Sequence, residues 1–112
     1  MSSAYPAMNS LWSIEGAAPG AVAASFKEAK LAPGKIGVLA IDAQDSTLQA
    51  IKDGWISATL NQCWFNASPQ AAKRIIEAKA GKASPAFVPI KVDAVTKDRL
   101  PYSGCPADFT NY

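Results

Sequence analysis

The sequence has no histidine and only two cysteines among its 112 residues. Without histidine, a Ser-His-Asp triad, imidazole acid–base catalysis and a histidine-bound metal are all excluded. Cys63 and Cys105 lack CxxC spacing, so we expect two free thiols, with a disulfide as the alternative in an oxidising compartment. The composition therefore disfavours most of the common catalytic and metal sites.

A strong excess of charge and a long apolar run are also missing. The chain has 11 Lys and Arg residues against 9 Asp and Glu residues, and the basic residues are scattered. This distribution predicts no nucleic-acid partner. The longest apolar run, residues 36–41, is far shorter than the roughly 20 residues of a membrane helix. Residues 1–6 have no basic region followed by an apolar stretch, so we expect no secretory signal there.

Strand and helix patterns alternate along the chain. Extended segments are predicted at residues 11–14, 36–41, 56–62 and 86–95. Helices are predicted between them, from residue 19 to residue 33, from 45 to 54 and from 66 to 80. This order predicts an α/β three-layer sandwich with a mostly parallel sheet. We place one partial α/β lobe at residues 1–97 and an irregular tail at 98–112.

Several residues support these boundaries. The near-continuous apolar run 36–41 is typical of a strand buried on both faces. Asp45 or Ser46 is a suitable cap for the second helix. Ser68 is a suitable cap for the third, with Pro69 at its first position.

Polar residues follow three of the predicted strands. Glu15, Asp42 and Gln62 come at the ends of successive strands, and ligands of open α/β sheets bind beyond the carboxyl ends of the strands. Two acids and an amide suit a ligand that is rich in hydroxyls or that bears an amine. Trp12 and Trp64 are candidates for an aromatic wall against a sugar face, and the nearby Trp55 and Phe65 are further ones.

Other interpretations of the same residues stay open. Asp42 and Asp45 can cap the loop or helix that follows them, and Glu15 can be a solvated charge. Tryptophans more often pack than bind ligands. The two aspartates can also hold Mg²⁺ in an enzyme, although no lysine or nucleophile motif accompanies them. Residues 16–20 are rich in glycine but match no phosphate-binding motif.

Three consecutive blocks carry a family resemblance. Lys-Ile-Gly-Val-Leu-Ala-Ile-Asp at 35–42 is followed by Thr-Leu-Gln-Ala-Ile-Lys-Asp-Gly at 47–54 and by Ile-Ser-Ala-Thr-Leu-Asn-Gln at 56–62. Val-Thr-Lys-Asp closes the pattern at 95–98. The chain thus resembles the C-terminal lobe of ribose-type periplasmic sugar-binding proteins, the substrate-binding components of ABC transporters with a type 1 periplasmic-binding-protein fold.

The resemblance implies a function and site residues. It implies that Asp42 and Gln62 contact sugar hydroxyls, and that the family's Asn-Asp pair falls on Ile14 and Glu15. Because Ile14 cannot hydrogen-bond through its side chain, we do not expect ribose itself as the ligand. The resemblance also implies a small polar ligand, a membrane permease as partner, a periplasmic location, no cofactor, no metal and no enzymatic activity.

The resemblance covers one incomplete lobe of a two-lobed family. We expect this chain alone to bind sugar weakly or not at all, because the other lobe supplies part of the enclosure. We also expect self-association through exposed lobe surface. Three alternatives remain: the effector-binding lobe of a lac-repressor-type transcription regulator, a remnant lobe without ligand, and the metal-dependent enzyme.

Overall fold

The computed structural model describes residues 4–106. Within that range the strands are β1 (Ser10–Trp12), β2 (Gly37–Ile41), β3 (Ala58–Asn61) and β4 (Asp93–Thr96). The helices are α1 (Ala18–Glu28), α2 (Asp45–Lys52) and α3 (Trp64–Lys79), followed by a 3-10 turn at Lys97–Arg99. Each helix of this part of the chain falls short of the length and apolar character that a bilayer crossing requires.

The four strands form one sheet in the order β1-β2-β3-β4. β1 pairs with β2 in parallel, with Leu11 opposite Val38, and β2 pairs with β3 in parallel, with Leu39 opposite Ala58. The predicted α/β class, the mostly parallel sheet and the alternating order of elements are confirmed. Because the three strands are parallel, their carboxyl ends share one edge of the sheet.

The described chain divides into two compact units. The first contains residues 4–61 together with 94–102, and the second contains residues 62–93 together with 103–106. The predicted boundary at residue 97 stays a prediction, and residues 107–112 of the expected tail lie outside the described residues.

The core of the first unit lies on one face of the sheet. Val38 and Ala40 of β2 are fully buried there, against α1 and α2. Gly37, Leu39 and Ile41 of the same strand are only half-buried, so burial on both faces is confirmed only in part. The buried cluster contains Ala23, Phe26, Ile36, Val38, Ala40, Ala50, Ile51 and Ile56.

α1 begins and ends earlier than the sequence pattern indicates. It starts at Ala18 and ends at Glu28, several residues before Pro33. Lys30 has a left-handed φ of 55°, which ends the helix without glycine. Ala29, which the helical spacing places inside, is exposed.

Three strands also differ from their predicted ranges. β1 ends at Trp12 rather than at residue 14, and β3 is shorter than the predicted 56–62. In the extended segment predicted at residues 86–95, where Pro89 indicates an edge strand or an irregular one, the strand β4 begins only at Asp93. Pro89 has no N–H to donate to a neighbouring strand, which explains why its surroundings stay irregular.

The segment after β4 is held to the first unit by hydrogen bonds. Asn61 Nδ2 donates to the Tyr102 hydroxyl at 3.0 Å. The Thr96 hydroxyl donates to Asp98 Oδ1 at 2.6 Å. That bond, assisted by the backbone N–H of Asp98, lowers the pKa of the Asp98 carboxyl.

The prediction that Ser68 caps α3, a helix of the second unit, is wrong. The helix begins at Trp64, directly after Cys63, which has a left-handed φ of 54°. Ser68 therefore lies inside the helix, where its hydroxyl donates to the Trp64 carbonyl at 2.9 Å. Pro69 is also internal rather than at the first helical position.

A disulfide joins Cys63 to Cys105 within the second unit, across 42 residues of sequence. The expectation of two free thiols is therefore wrong. The distance in space between two cysteines cannot be derived from their positions in the sequence. The fold brings the Cα atoms of Cys63 and Cys105 to 5.7 Å, which permits the bond.

We predict that the double variant Cys63→Ala, Cys105→Ala is less stable by about 2–4 kcal/mol, because the disulfide restricts the unfolded chain. Urea unfolding followed by circular dichroism measures this loss. Added reductant should destabilise the wild-type protein and leave the double variant unchanged. Equal stability of the two oxidised proteins would contradict the prediction.

Two fully buried threonines make a matched pair for a second test. Thr59 Oγ1 donates to the Asp42 carbonyl at 2.7 Å, whereas Thr47 Oγ1 has no hydrogen-bond partner in the described structure. We expect Thr59→Val to lower the free energy of unfolding by about 1–2 kcal/mol. Thr47→Val should raise it by about 0.5–1.5 kcal/mol, because the buried hydroxyl is unsatisfied. Urea unfolding in which both variants lose stability equally would refute this assignment.

Candidate ligand site at the carboxyl edge of the sheet

The loop after β1 stays close to the sheet before it turns into α1. Ser13 is buried and its N–H donates to the Leu39 carbonyl at 2.8 Å, which extends the pairing by one residue. Ile14 then points into solvent and is 73% exposed. The chain next turns at Gly16, which is buried.

Asp42 follows β2 directly, and β3 holds its backbone on both sides. Its N–H donates to the Leu60 carbonyl at 2.8 Å, and its carbonyl accepts the Thr59 hydroxyl at 2.7 Å. Its φ is 67°, in the left-handed region that aspartate tolerates better than most residues. These contacts fix the point from which the carboxylate leaves the sheet edge.

The loops after β1 and β2 meet at Gly16. A Cβ atom on Gly16 would lie 2.6 Å from Asp42 Oδ2 and 3.1 Å from Gln44 Nε2. Only a residue without a side chain leaves both groups in place. We call Gly16, Asp42 and Gln44 the Asp42 cluster. It combines a carboxylate acceptor with an amide that both donates and accepts hydrogen bonds.

Gln44 was not among the residues predicted from the sequence. It lies directly before α2 and its backbone is extended, with no side-chain bond to the helix. The prediction that Asp45 or Ser46 caps α2 is wrong, because Gln44 takes that position. Its position could have been predicted from the sequence, because Gln44 is a polar residue two positions after the strand-end Asp42.

Glu15 neighbours the Asp42 cluster through the chain. Its carbonyl accepts the Ala18 N–H at 3.2 Å, and its side chain is exposed. This hydrogen bond forms the backbone turn after Glu15 and does not involve the Glu15 carboxylate. The ligand role expected for Glu15 stays a prediction.

Gln62 belongs to the second unit. Its Oε1 accepts a hydrogen bond from Trp64 Nε1 at 2.9 Å, which orients the amide and leaves the indole 55% exposed. This bond joins a residue predicted to contact sugar hydroxyls, Gln62, to a residue predicted to form an aromatic wall, Trp64. Whether Gln62 and Asp42 share a ligand stays a prediction.

The candidate aromatic residues have different positions. Trp12 is 61% exposed and, from its register opposite Leu39, lies on the sheet face opposite the core. Trp55 precedes β3 and so lies toward its amino end, with Lys27 Nζ 5.6 Å from the ring centroid. The prediction that Trp55 forms a wall of this site is therefore wrong, whereas Trp12 and Trp64 stay candidates for that role. Phe65 is 95% exposed.

The alternative magnesium site predicted from the sequence pairs Asp42 with Asp45. Asp45 is exposed in the first turn of α2. Across residues 4–106, no group of three or more His, Cys, Asp or Glu side chains is arranged to hold a metal ion.

No protein-family model matches this sequence, and no curated protein sequence is significantly similar to it. Solved structures, in contrast, superpose well on the chain. A glucose-galactose binding protein from Geobacillus stearothermophilus has a TM-score of 0.83 and 22% identity, with 89% of this chain and 35% of that chain covered.

Two further solved structures contain a bound sugar. An ABC transporter solute-binding protein from Burkholderia graminis, in complex with D-arabinose, has a TM-score of 0.81 and 25% identity over 93% of this chain and 37% of its own. A carbohydrate transporter solute-binding protein from Agrobacterium radiobacter, also with D-arabinose, has a TM-score of 0.78 and 23% identity over 90% and 34%.

The chain thus spans about a third of the length of these structures, while they account for almost all of its own length. The resemblance to sugar-binding proteins of ABC transporters, derived from residues 35–62, is confirmed as the fold of a partial lobe.

Proposed function

We propose that this chain is a sugar-binding lobe of an ABC-type uptake system and that its ligand contacts the Asp42 cluster. The observation that carries the proposal is the close approach of Gly16 to Asp42 and Gln44. This approach leaves a carboxylate and an amide at the carboxyl edge of a parallel sheet, where α/β proteins bind ligands. Carboxylates accept two hydrogen bonds from vicinal sugar hydroxyls, and an amide can serve either role.

The mode of action is binding and not catalysis. The Asp42 carboxylate projects from a backbone that hydrogen bonds to β3 hold in place. Because this backbone is already fixed, less conformational entropy is lost when a ligand binds. Glu15, Gln62 and the rings of Trp12 and Trp64 belong to the proposal as further ligand contacts. Each of the four is tested by substitution to alanine in the titration described below.

The affinity of the isolated chain should be low. Small ligands gain affinity when a pocket buries most of their surface, and this chain covers only 35% and 37% of two of the matching structures. We infer that a second lobe supplies the remaining enclosure, and that closure of the two lobes is what a permease of the transporter recognises.

The disulfide supports an extracytoplasmic location. Structural disulfides persist in oxidising compartments such as the periplasm and are rare in the cytosol. The Cys63–Cys105 bond therefore agrees with the location that the resemblance implies.

Exposed apolar side chains support the expected self-association. Trp12, Ile14, Phe65 and Ile76 are all more than half exposed in the isolated chain. β1 is also an end strand of the sheet, and open strand edges favour pairing with another chain. Sedimentation at several protein concentrations tests for it.

A sugar titration followed by NMR of the ¹⁵N-labelled chain tests the proposed function. We expect D-arabinose, D-galactose or D-glucose to shift the amides of residues 13–16 and 42–44, with a dissociation constant of about 1 mM or weaker. Asp42→Asn keeps the backbone conformation but removes the charge, so binding should weaken by about tenfold. Asp45→Asn, three residues further on, is the matched control and should bind as wild type.

The absence of shifts at saturating concentrations of every sugar would refute the proposal. Equal weakening by Asp42→Asn and Asp45→Asn would also refute the site. Micromolar affinity of the isolated chain would instead show that one lobe suffices for enclosure.

A glycine pair tests the geometry of the Asp42 cluster. Gly16→Ala places a methyl group 2.6 Å from Asp42 Oδ2, so the carboxylate must rotate away and sugar binding should fall by about fivefold or more. The unfolding free energy should fall by about 1–2 kcal/mol, because the methyl group also lies 3.2 Å from Asp42 Cβ, whose backbone is bonded to β3.

Gly20→Ala is the control for this substitution. Its methyl group meets Ser46 at an ordinary distance of 3.5 Å, and alanine favours the helix α1. We expect unchanged binding and a small gain in thermal stability. Wild-type sugar affinity in Gly16→Ala would show that the ligand does not contact Asp42.

A further inference from the structure

The second unit contains a groove that shares only Trp64 with the contacts proposed for the sugar. One side of α3 and the residues 84–91 enclose a cavity of about 440 Å³. Ala71 and Ile75 form part of one wall, and Val88 and Ile90 form part of the other. Its volume falls within the range of about 300–1,000 Å³ that ligand pockets occupy.

The sequence of α3 explains why the groove is open. Ala67, Ala71 and Ile75 follow one another at intervals of four residues, so they lie along one side of the helix. The two alanines are too short to fill the space in front of them. Across the groove, Pro89 has no N–H to donate to a neighbouring strand, and residues 84–91 lie outside the strands of the sheet.

The charged side chains that line the groove are both cationic. They are Arg74 and Lys91, and no acidic side chain is among the lining residues of the described structure. Arg74 Nη1 lies 3.4 Å from Glu77 Oε2, a long contact that occupies one of the five guanidinium donors. The groove thus combines apolar walls with two cationic side chains.

We propose that this groove binds an amphipathic carboxylate, with an aromatic or aliphatic body between the walls and its carboxylate at Arg74 and Lys91. A sugar does not fit this chemistry, because the walls offer few polar partners and the Ser68 hydroxyl already donates to the Trp64 carbonyl. The inference is independent of the Asp42 cluster and goes beyond the proposed sugar binding.

Titration of the intact chain with 1-naphthoate, followed by calorimetry and by NMR of the ¹⁵N-labelled protein, tests the proposal. We expect saturable binding with one ligand per chain and amide shifts in residues 67–75 and 84–91. The neutral isostere 1-naphthamide should bind about tenfold more weakly, because it lacks the charge that Arg74 and Lys91 attract.

Neighbouring residues of α3 supply matched controls for shape and for charge. Ala71→Phe fills the groove and should reduce naphthoate binding by about tenfold or more, whereas Ala72→Phe adds the same ring outside the groove and should not. Arg74→Gln should weaken binding by about tenfold, whereas Lys73→Gln, outside the lining, should not. All four residues are helical, so circular dichroism verifies that each variant keeps α3.

Several results would overturn the proposal. These are equal effects of Ala71→Phe and Ala72→Phe, equal affinities for naphthoate and naphthamide, and the absence of saturable binding. Equal loss in both alanine variants would indicate adsorption to exposed side chains such as Phe65 and Ile76. A dimer that dissociates on naphthoate addition would identify a second copy of the chain as the occupant of the groove.

Discussion

The structure of the proposed sugar site depends on the parallel pairing of β2 with β3. This pairing anchors Asp42, whose N–H and carbonyl are both bonded to β3 residues just beyond the end of β2. Parallel pairing of β1 with β2 then brings the following loop, with Gly16, against the same carboxylate. Two loops that are distant in sequence thus meet because their strands run in the same direction.

In the described part of the first unit, only one face of the sheet is covered by helices and carries the buried core. Its largest buried side chains, including Val38 and Ile51, lie on the sheet face that α1 and α2 cover. Trp12 lies on the other face and is largely exposed. The matching structure from Geobacillus stearothermophilus is much longer than this chain, and a longer folded chain buries a greater share of its apolar surface. The exposure therefore agrees with a partial lobe.

The two candidate sites differ in their chemistry. The Asp42 cluster presents a carboxylate and an amide on a backbone held by hydrogen bonds, and it suits neutral ligands with many hydroxyls. The α3 groove presents apolar walls and two cations, and it suits a single negative charge on an apolar body. The three residues of the Asp42 cluster belong to the first unit and the lining of the α3 groove belongs to the second, so each can be examined separately by substitution.

The sequence by itself determined the α/β class, the order of elements and the strand-end position of Asp42. These features depend on local hydrophobic patterning and on the blocks at residues 35–62, which a reader of the sequence can recognise. The tertiary structure decided the Cys63–Cys105 bond, the approach of Gly16 to Asp42 and the true start of α3. Those features depend on distances between segments far apart in the chain, and local propensity carries no information about such distances.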